Sequence, residues 1–123
     1  MNISFVKIVL KNNHYSRTES NNISLEDFGF LLAYVDNRKE CLNQLYNGTC
    51  DAIGVETIWA DKVDDLIVIS DSRSEEEDGG PFLYIHLDEF ARIINEWDEF
   101  CKKHGKEMLI TMENDKITLT PTY

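Results

Sequence analysis

Apolar and polar residues alternate from Ile3 to Leu10, with Ile3, Phe5 and Lys7 on one side, in a stretch rich in β-formers. That pattern predicts a first strand. Lys11 to Asn22 is polar and holds four asparagines, so a loop is expected there. From Leu25 onward the apolar positions Phe28, Leu31, Leu32, Val35, Leu42 and Leu45 recur at helical spacing. They predict one helix, with Ser24 as its N-cap, Asp27 in the capping-box position and Gly48 as its C-terminal cap. Four polar residues, Asp36 to Lys39, interrupt the stripe and predict a bend. The alternative makes Phe28 to Val35 a strand and leaves only Lys39 to Tyr46 helical.

Cys50 to Ala60 is strand-like but interrupted by Gly54, and Leu66 to Ser70 is a continuous apolar run of the kind found in central strands. Phe82 to Leu87 alternates an aromatic and histidine face (Phe82, Tyr84, His86) with an aliphatic one (Leu83, Ile85, Leu87). The strongest helical stripe runs through Phe90, Ile93, Ile94, Trp97, Phe100 and Cys101. Asp88 and Glu89 open that helix, Lys102, Lys103 and His104 close it, and Gly105 suits a left-handed cap; this charge order complements the helix dipole. Glu107 to Met112 and Lys116 to Thr120 predict a hairpin turning at Asn114-Asp115 and stopped by Pro121. The expected fold is α+β, a mainly antiparallel sheet of about five to six strands covered by two helices, as a single domain over residues 1–123.

Charge changes this picture most. The chain has a formal net charge of −11, and the stretch from Asp61 to Glu99 carries 13 acidic residues against Lys62, Arg73 and Arg92. Ten of the eleven excess negative charges therefore sit in one third of the chain. Such a field repels nucleic acid and anionic membrane and speeds encounter with a basic protein. An acidic helix face accounts for Glu89, Glu96, Asp98 and Glu99. It does not account for the loop clusters Asp61, Asp64, Asp65 and Glu75, Glu76, Glu77, Asp78, which flank the Leu66 to Ser70 strand from opposite ends or converge beside it. Trp59, next to the first cluster, and Tyr84 are the aromatic anchors an interface would use.

Catalytic chemistry is poorly represented. Cys101 and His104 share a helix face, but Cys101 belongs to the core stripe and no second Cys-x-x-His or Cys-x-x-Cys completes a zinc site. His86 beside Asp88 and Glu89 has the makings of a base with an orienting carboxylate, yet alternation makes it a half-buried structural residue. Asp71 to Glu76 fails as a calcium loop, with Arg73 at its third position and Glu76 where glycine is required. Walker, dinucleotide and nucleophile-elbow motifs are missing. No catalytic residue, metal or cofactor is expected. Three scattered cysteines, Cys41, Cys50 and Cys101, suit a reducing compartment. Lys7 in the first apolar run argues against a signal peptide, and no run is long enough to span a membrane, so a cytoplasmic location is expected.

A small, acidic α+β chain without a catalytic set resembles the bacterial immunity proteins of contact-dependent growth inhibition. A local likeness runs through Asn47-Gly48-x-Cys50, Asp71-Ser72-Arg73, Gly80-Pro81-x-Leu83 and Glu89-Phe90. That order is similar to the BldB-like family, which often reads Asp-Ser-Lys, Gly-Pro-x-Leu and Glu-Trp. This chain departs from it in the inserted acids Glu75 to Asp78, in Phe90 and in a long N-terminal extension. Both resemblances imply a partner-binding, antitoxin-like protein; joined to the acidic field, they make a basic toxin, a nuclease above all, the expected partner, with no direct nucleic-acid or membrane contact. The other readings are a phage-type acidic mimic of nucleic acid and a small enzyme using His86 with a carboxylate. Oligomeric state is open.

Overall fold

The computed structural model describes residues 3–123. Its elements run β1 (Ser4–Lys11), β2 (His14–Ser20), α1 (Ile23–Tyr34), α2 (Arg38–Asn47), β3 (Ala52–Val55), β4 (Ile58–Val63), β5 (Leu66–Asp71), β6 (Leu83–His86), α3 (Leu87–Lys102), β7 (Glu107–Glu113) and β8 (Lys116–Thr122). The class is α+β, as the pattern predicts. The strands form two antiparallel sheets of four, ordered β2-β1-β7-β8 and β3-β4-β5-β6, in place of one sheet of five or six. No helix among the described residues is long and apolar enough to cross a membrane.

The two extra strands have a common cause. Lys11 to Asn22 is no loop: Asn12 and Asn13, both at positive φ, form a two-residue turn that sends β2 back along β1. Asparagine tolerates that conformation, and such turns match the twist of a hairpin. β2 is an edge strand with mostly exposed side chains, so it has no hydrophobic alternation to read. The Cys50 to Ala60 stretch is likewise a hairpin, with Glu56 at φ 56° in its turn between β3 and β4.

The single bent helix is two helices. Val35 leaves α1 in an extended conformation and Asn37 takes a left-handed one. Arg38 holds this corner. Its guanidinium donates to the carbonyls of Leu32 and Val35, at 3.3 and 3.2 Å, and pairs with Asp98 of α3 at 2.5 Å. The cap of α1 is Asn22, whose Oδ1 accepts from the Leu25 amide at 3.0 Å; Ser24 is buried inside the helix, and Asp27 plays no capping role. Gly48 does end α2 at positive φ. After α3 the left-handed residue is His104, and Gly105 serves space instead, since a Cβ there would lie 2.0 Å from the Phe100 ring.

Both sheets turn an aliphatic face inward: Val6, Ile8, Leu10, Met108, Ile110 and Ile117 from the first, and Ile53, Ile58, Ala60, Ile67, Ile69, Leu83 and Ile85 from the second. In β1 the buried side is thus the one opposite Ile3, Phe5 and Lys7. Helix α1 touches β1 and β2 of one sheet and β4 and β5 of the other, and α3 touches β8, β5 and β6. α1 therefore buries one broad face, Ser24, Leu25, Phe28, Gly29, Leu31 and Leu32, with Gly29 letting it approach Ile8. One continuous core results, holding Phe28, Phe90, Trp97 and Phe100.

Candidate functional site

In a four-stranded sheet with one face on a core, the other face needs polar cover or a partner. Register defines that outer face in the second sheet. Trp59 stands opposite Ser70, Asp61 opposite Val68 and Val63 opposite Leu66, while Val68 and Leu66 stand opposite Tyr84 and His86. The inward neighbours Ile58, Ala60, Ile67, Ile69, Leu83 and Ile85 are all buried. Outward, Trp59 is 42%, Val63 54%, Leu66 36% and Tyr84 60% exposed, a density of apolar surface that calls for an explanation. Trp59 lies across Gly54 of β3, where a Cβ would come within 2.6 Å of the ring, so the missing side chain seats the indole flat on the sheet. The Tyr84 and Phe82 rings lie 6.2 Å apart.

The acidic clusters frame this face. Asp64 and Asp65 form the β4–β5 turn, with Asp64 at φ 55°, and Asp61 lies inside β4 rather than in a loop. Glu75 to Asp78 lie beyond the other end of β5. Six residues of strand separate Asp64 and Asp65 from the segment that leads to Glu75, roughly 20 Å at the usual rise, so these turns flank the sheet face from opposite ends while Asp61 stands on the face itself, opposite Val68. Lys62, the cation embedded in the first cluster, points inward and donates to the Leu45 carbonyl at the end of α2, at 2.9 Å.

Ion pairing divides the acids in two. On α3, Glu89 and Glu96 pair with Arg92, Asp98 with Arg38 and Glu99 with Lys102. Among the described residues none of Asp61, Asp64, Asp65, Glu75, Glu76, Glu77 and Asp78 makes an ion pair. Four of the five α3 acids are paired, Asp98 with a cation from α2, whereas Asp64, Asp65 and Glu75 to Asp78 extend from turns without an ionic partner among the described residues.

The chemistry suggested by His86 does not assemble. His86 is exposed rather than half-buried, Asp88 accepts a hydrogen bond from the Tyr46 hydroxyl, and Glu89 is held by Arg92. His104 lies 3.2 Å from the Asn13 amide, away from any thiol partnership with half-buried Cys101. No three His, Cys, Asp or Glu side chains among the described residues are grouped to hold a metal ion.

A second feature has no sequence counterpart. Asp27, on α1, faces Asp71 and Arg73 at the end of β5. Burial, followed by the charges of Asp71 and Glu26, pushes its carboxyl up to about 6 against the opposing pull of Arg73. Burial also pushes Asp71 upward, but hydrogen bonds from the Arg73 amide and guanidinium and from Thr57 outweigh it and hold that carboxyl low. Helical spacing assigns Asp27 to a cap, and its true surroundings are visible only once β5 is placed against α1. The folded state binds Asp27's proton more tightly than the unfolded state, whose ordinary value is 3.8. Its stabilisation is complete below 3.8 and lost as pH rises through 6. Asp27→Asn should therefore match the natural chain near pH 3.5 and exceed it above pH 6. After allowance for partial exposure the gain is about 1 kcal/mol, readable as a few degrees in melting temperature across a pH series.

No protein-family model, curated protein or solved structure matches this chain.

Proposed function

We propose that the chain is an immunity-type inhibitor: a binding protein that neutralises a basic toxin, a nuclease by preference, by covering its phosphate-gripping surface. The observation that carries this reading is the outer face of β4–β6, an exposed apolar platform whose flanking acids lack internal counter-ions. Interfaces combine an apolar, aromatic-rich centre with a polar rim, and here acidic turns stand at both ends of the centre. A nuclease site is basic because it holds phosphates, so the flanking carboxylates stand where phosphates would bind. Unneutralised like charges cost stability through self-repulsion, a cost that a basic partner offsets. A standard interface of about 800 Å² per partner is about a ninth of the 7406 Å² surface, enough to cover the platform and the nearer turn. A cytoplasmic site of action goes with this role.

Capture of partners from the native host, followed by mass spectrometry and a nuclease assay with and without the chain, tests the reading. The expected partner is basic, and its activity falls in stoichiometric proportion to added chain. Changing Asp61, Asp64 and Asp65 to Asn should slow association and flatten its salt dependence, because rim charge acts first on encounter. The same treatment of Glu75 to Asp78, with Gln and Asn, should do so less, since Asp61 of the first set stands on the outer face itself, opposite Val68. Any carboxylate paired with a desolvated Lys or Arg adds about 2–5 kcal/mol to the loss, while stability should move by less than about 0.5 kcal/mol. Unchanged affinity and salt response in both sets would reduce the charge to solubilising surface and remove the reading.

A further inference from the structure

Where the start of α1 meets the end of β5, two adjoining hollows of about 450 and 500 Å³ share Ile23, Asp27, Asp71 and Arg73 and together form one groove. At its deeper end Tyr15 of β2, Phe30 and Ile23 of α1 and Ile58 of β4 supply apolar wall beside the charged residues, with the Tyr15 ring edge-on to Phe30 at 6.3 Å. At the shallower end it runs past Glu75 and Glu76 to Gly80 and Pro81. We infer that this groove takes an extended, lysine- or arginine-bearing segment of the basic partner, with Asp27 and Glu56 gripping one cationic head between the aromatic walls. The inference rests on the binding role proposed above and adds the partner's chemistry at a place the flat sheet face does not reach.

Charge complementarity selects this occupant. Glu26, Asp27, Glu56 and Asp71 line the deeper hollow against Arg73 alone, and Glu75 and Glu76 add charge at the shallower one. Arg73 is engaged by Asp71 at 3.2 Å, and Glu26 accepts from the Ser20 hydroxyl at 3.1 Å. Asp27 and Glu56 accept no side-chain hydrogen bond and make no ion pair among the described residues. A second copy of the chain or a nucleic acid would bring more negative charge into this hollow. Long basic side chains suit both parts of the lining, because their stems pack on apolar walls while the head reaches carboxylates, and a guanidinium also stacks on aromatic rings.

The test is an NMR titration of the full chain with N-acetyl-triarginine amide at pH 7, repeated on Asp27→Asn, Glu56→Gln and, as a control in the exposed β7–β8 turn, Asp115→Asn. Saturable shifts are expected at Ile23, Asp27, Glu56 and Arg73, with affinity reduced about tenfold or more by either groove variant, the scale of one lost charge-assisted contact, and unchanged by Asp115→Asn. The Asp27 carboxyl should titrate at lower pH with the peptide bound, so that binding releases a proton near pH 6. Shifts spread evenly over Asp64, Asp65 and Glu75 to Asp78, with equal affinity in all variants, would overturn the inference, as would millimolar calcium reproducing the shifts and displacing the peptide. A groove that binds the peptide while no basic partner is captured would overturn the inhibitor role alone. A captured partner indifferent to Asp27→Asn and Glu56→Gln would overturn the groove alone.

Discussion

Trp97→Ala should lower the free energy of unfolding by about 3–5 kcal/mol, a large share of the 5–15 kcal/mol typical of a whole domain. Trp97 is 1% exposed, in the middle of α3, and its ring lies 5.2 Å from that of Phe100. α3 touches both sheets, so the cavity would open in the layer that joins them, where rigid strands on two sides limit collapse. One detail sharpens the test. Nε1 of Trp97 is the one buried side-chain polar atom without a hydrogen-bond partner among the described residues. Trp97→Phe keeps most of the volume and removes that orphaned donor, so its cost should stay below about 1.5 kcal/mol. Urea titrations of both variants check this; equal losses would mean that the indole N–H, not the ring volume, matters at this position.

Trp59→Ala should behave in the opposite way, with a small effect on stability and a large one on binding. The indole rests on Gly54 at the surface, so its removal opens no core cavity. At the centre of an interface, loss of a tryptophan costs about 2 kcal/mol or more, roughly thirtyfold in affinity. Calorimetry against the captured partner, with Tyr84→Ala in parallel, measures it. An undiminished affinity in both variants would take the β4–β6 face out of the interface and leave the turns or the groove as the contact.

How legible these surfaces are in the sequence depends on the range of the interactions behind them. Trp59, Tyr84 and the acidic residues stand out because aromatic side chains and dense charge are conspicuous wherever they fall. Val63 and Leu66 do not, although they share the same face. Alternation through Trp59, Asp61 and Val63 indicates it only when Asp64-Asp65 is taken as a two-residue turn, and aspartate is a weaker turn signal than glycine. Asp27 is hidden for another reason. Three residues after a serine at a helix start it has the spacing of a capping box, and only contact with β5 across 44 positions of sequence gives it another role.

From the sequence alone follow the α+β class, the aliphatic inner face of β6, the stripe of α3, the C-terminal hairpin and the acidic bias of the Asp61 to Glu99 region. All of these depend on local periodicity or on composition. The tertiary structure alone decides that the strands divide into two sheets, that α1 and α3 lie between them, and that the acidic turns stand at opposite ends of β5. It also decides which carboxylates are neutralised and which are left facing solvent. The physical reason is that strand pairing and ion pairing join residues far apart in the chain. Arg38 with Asp98, Lys62 with the Leu45 carbonyl, and β1 with β7 are specified by register and packing, which no local pattern encodes.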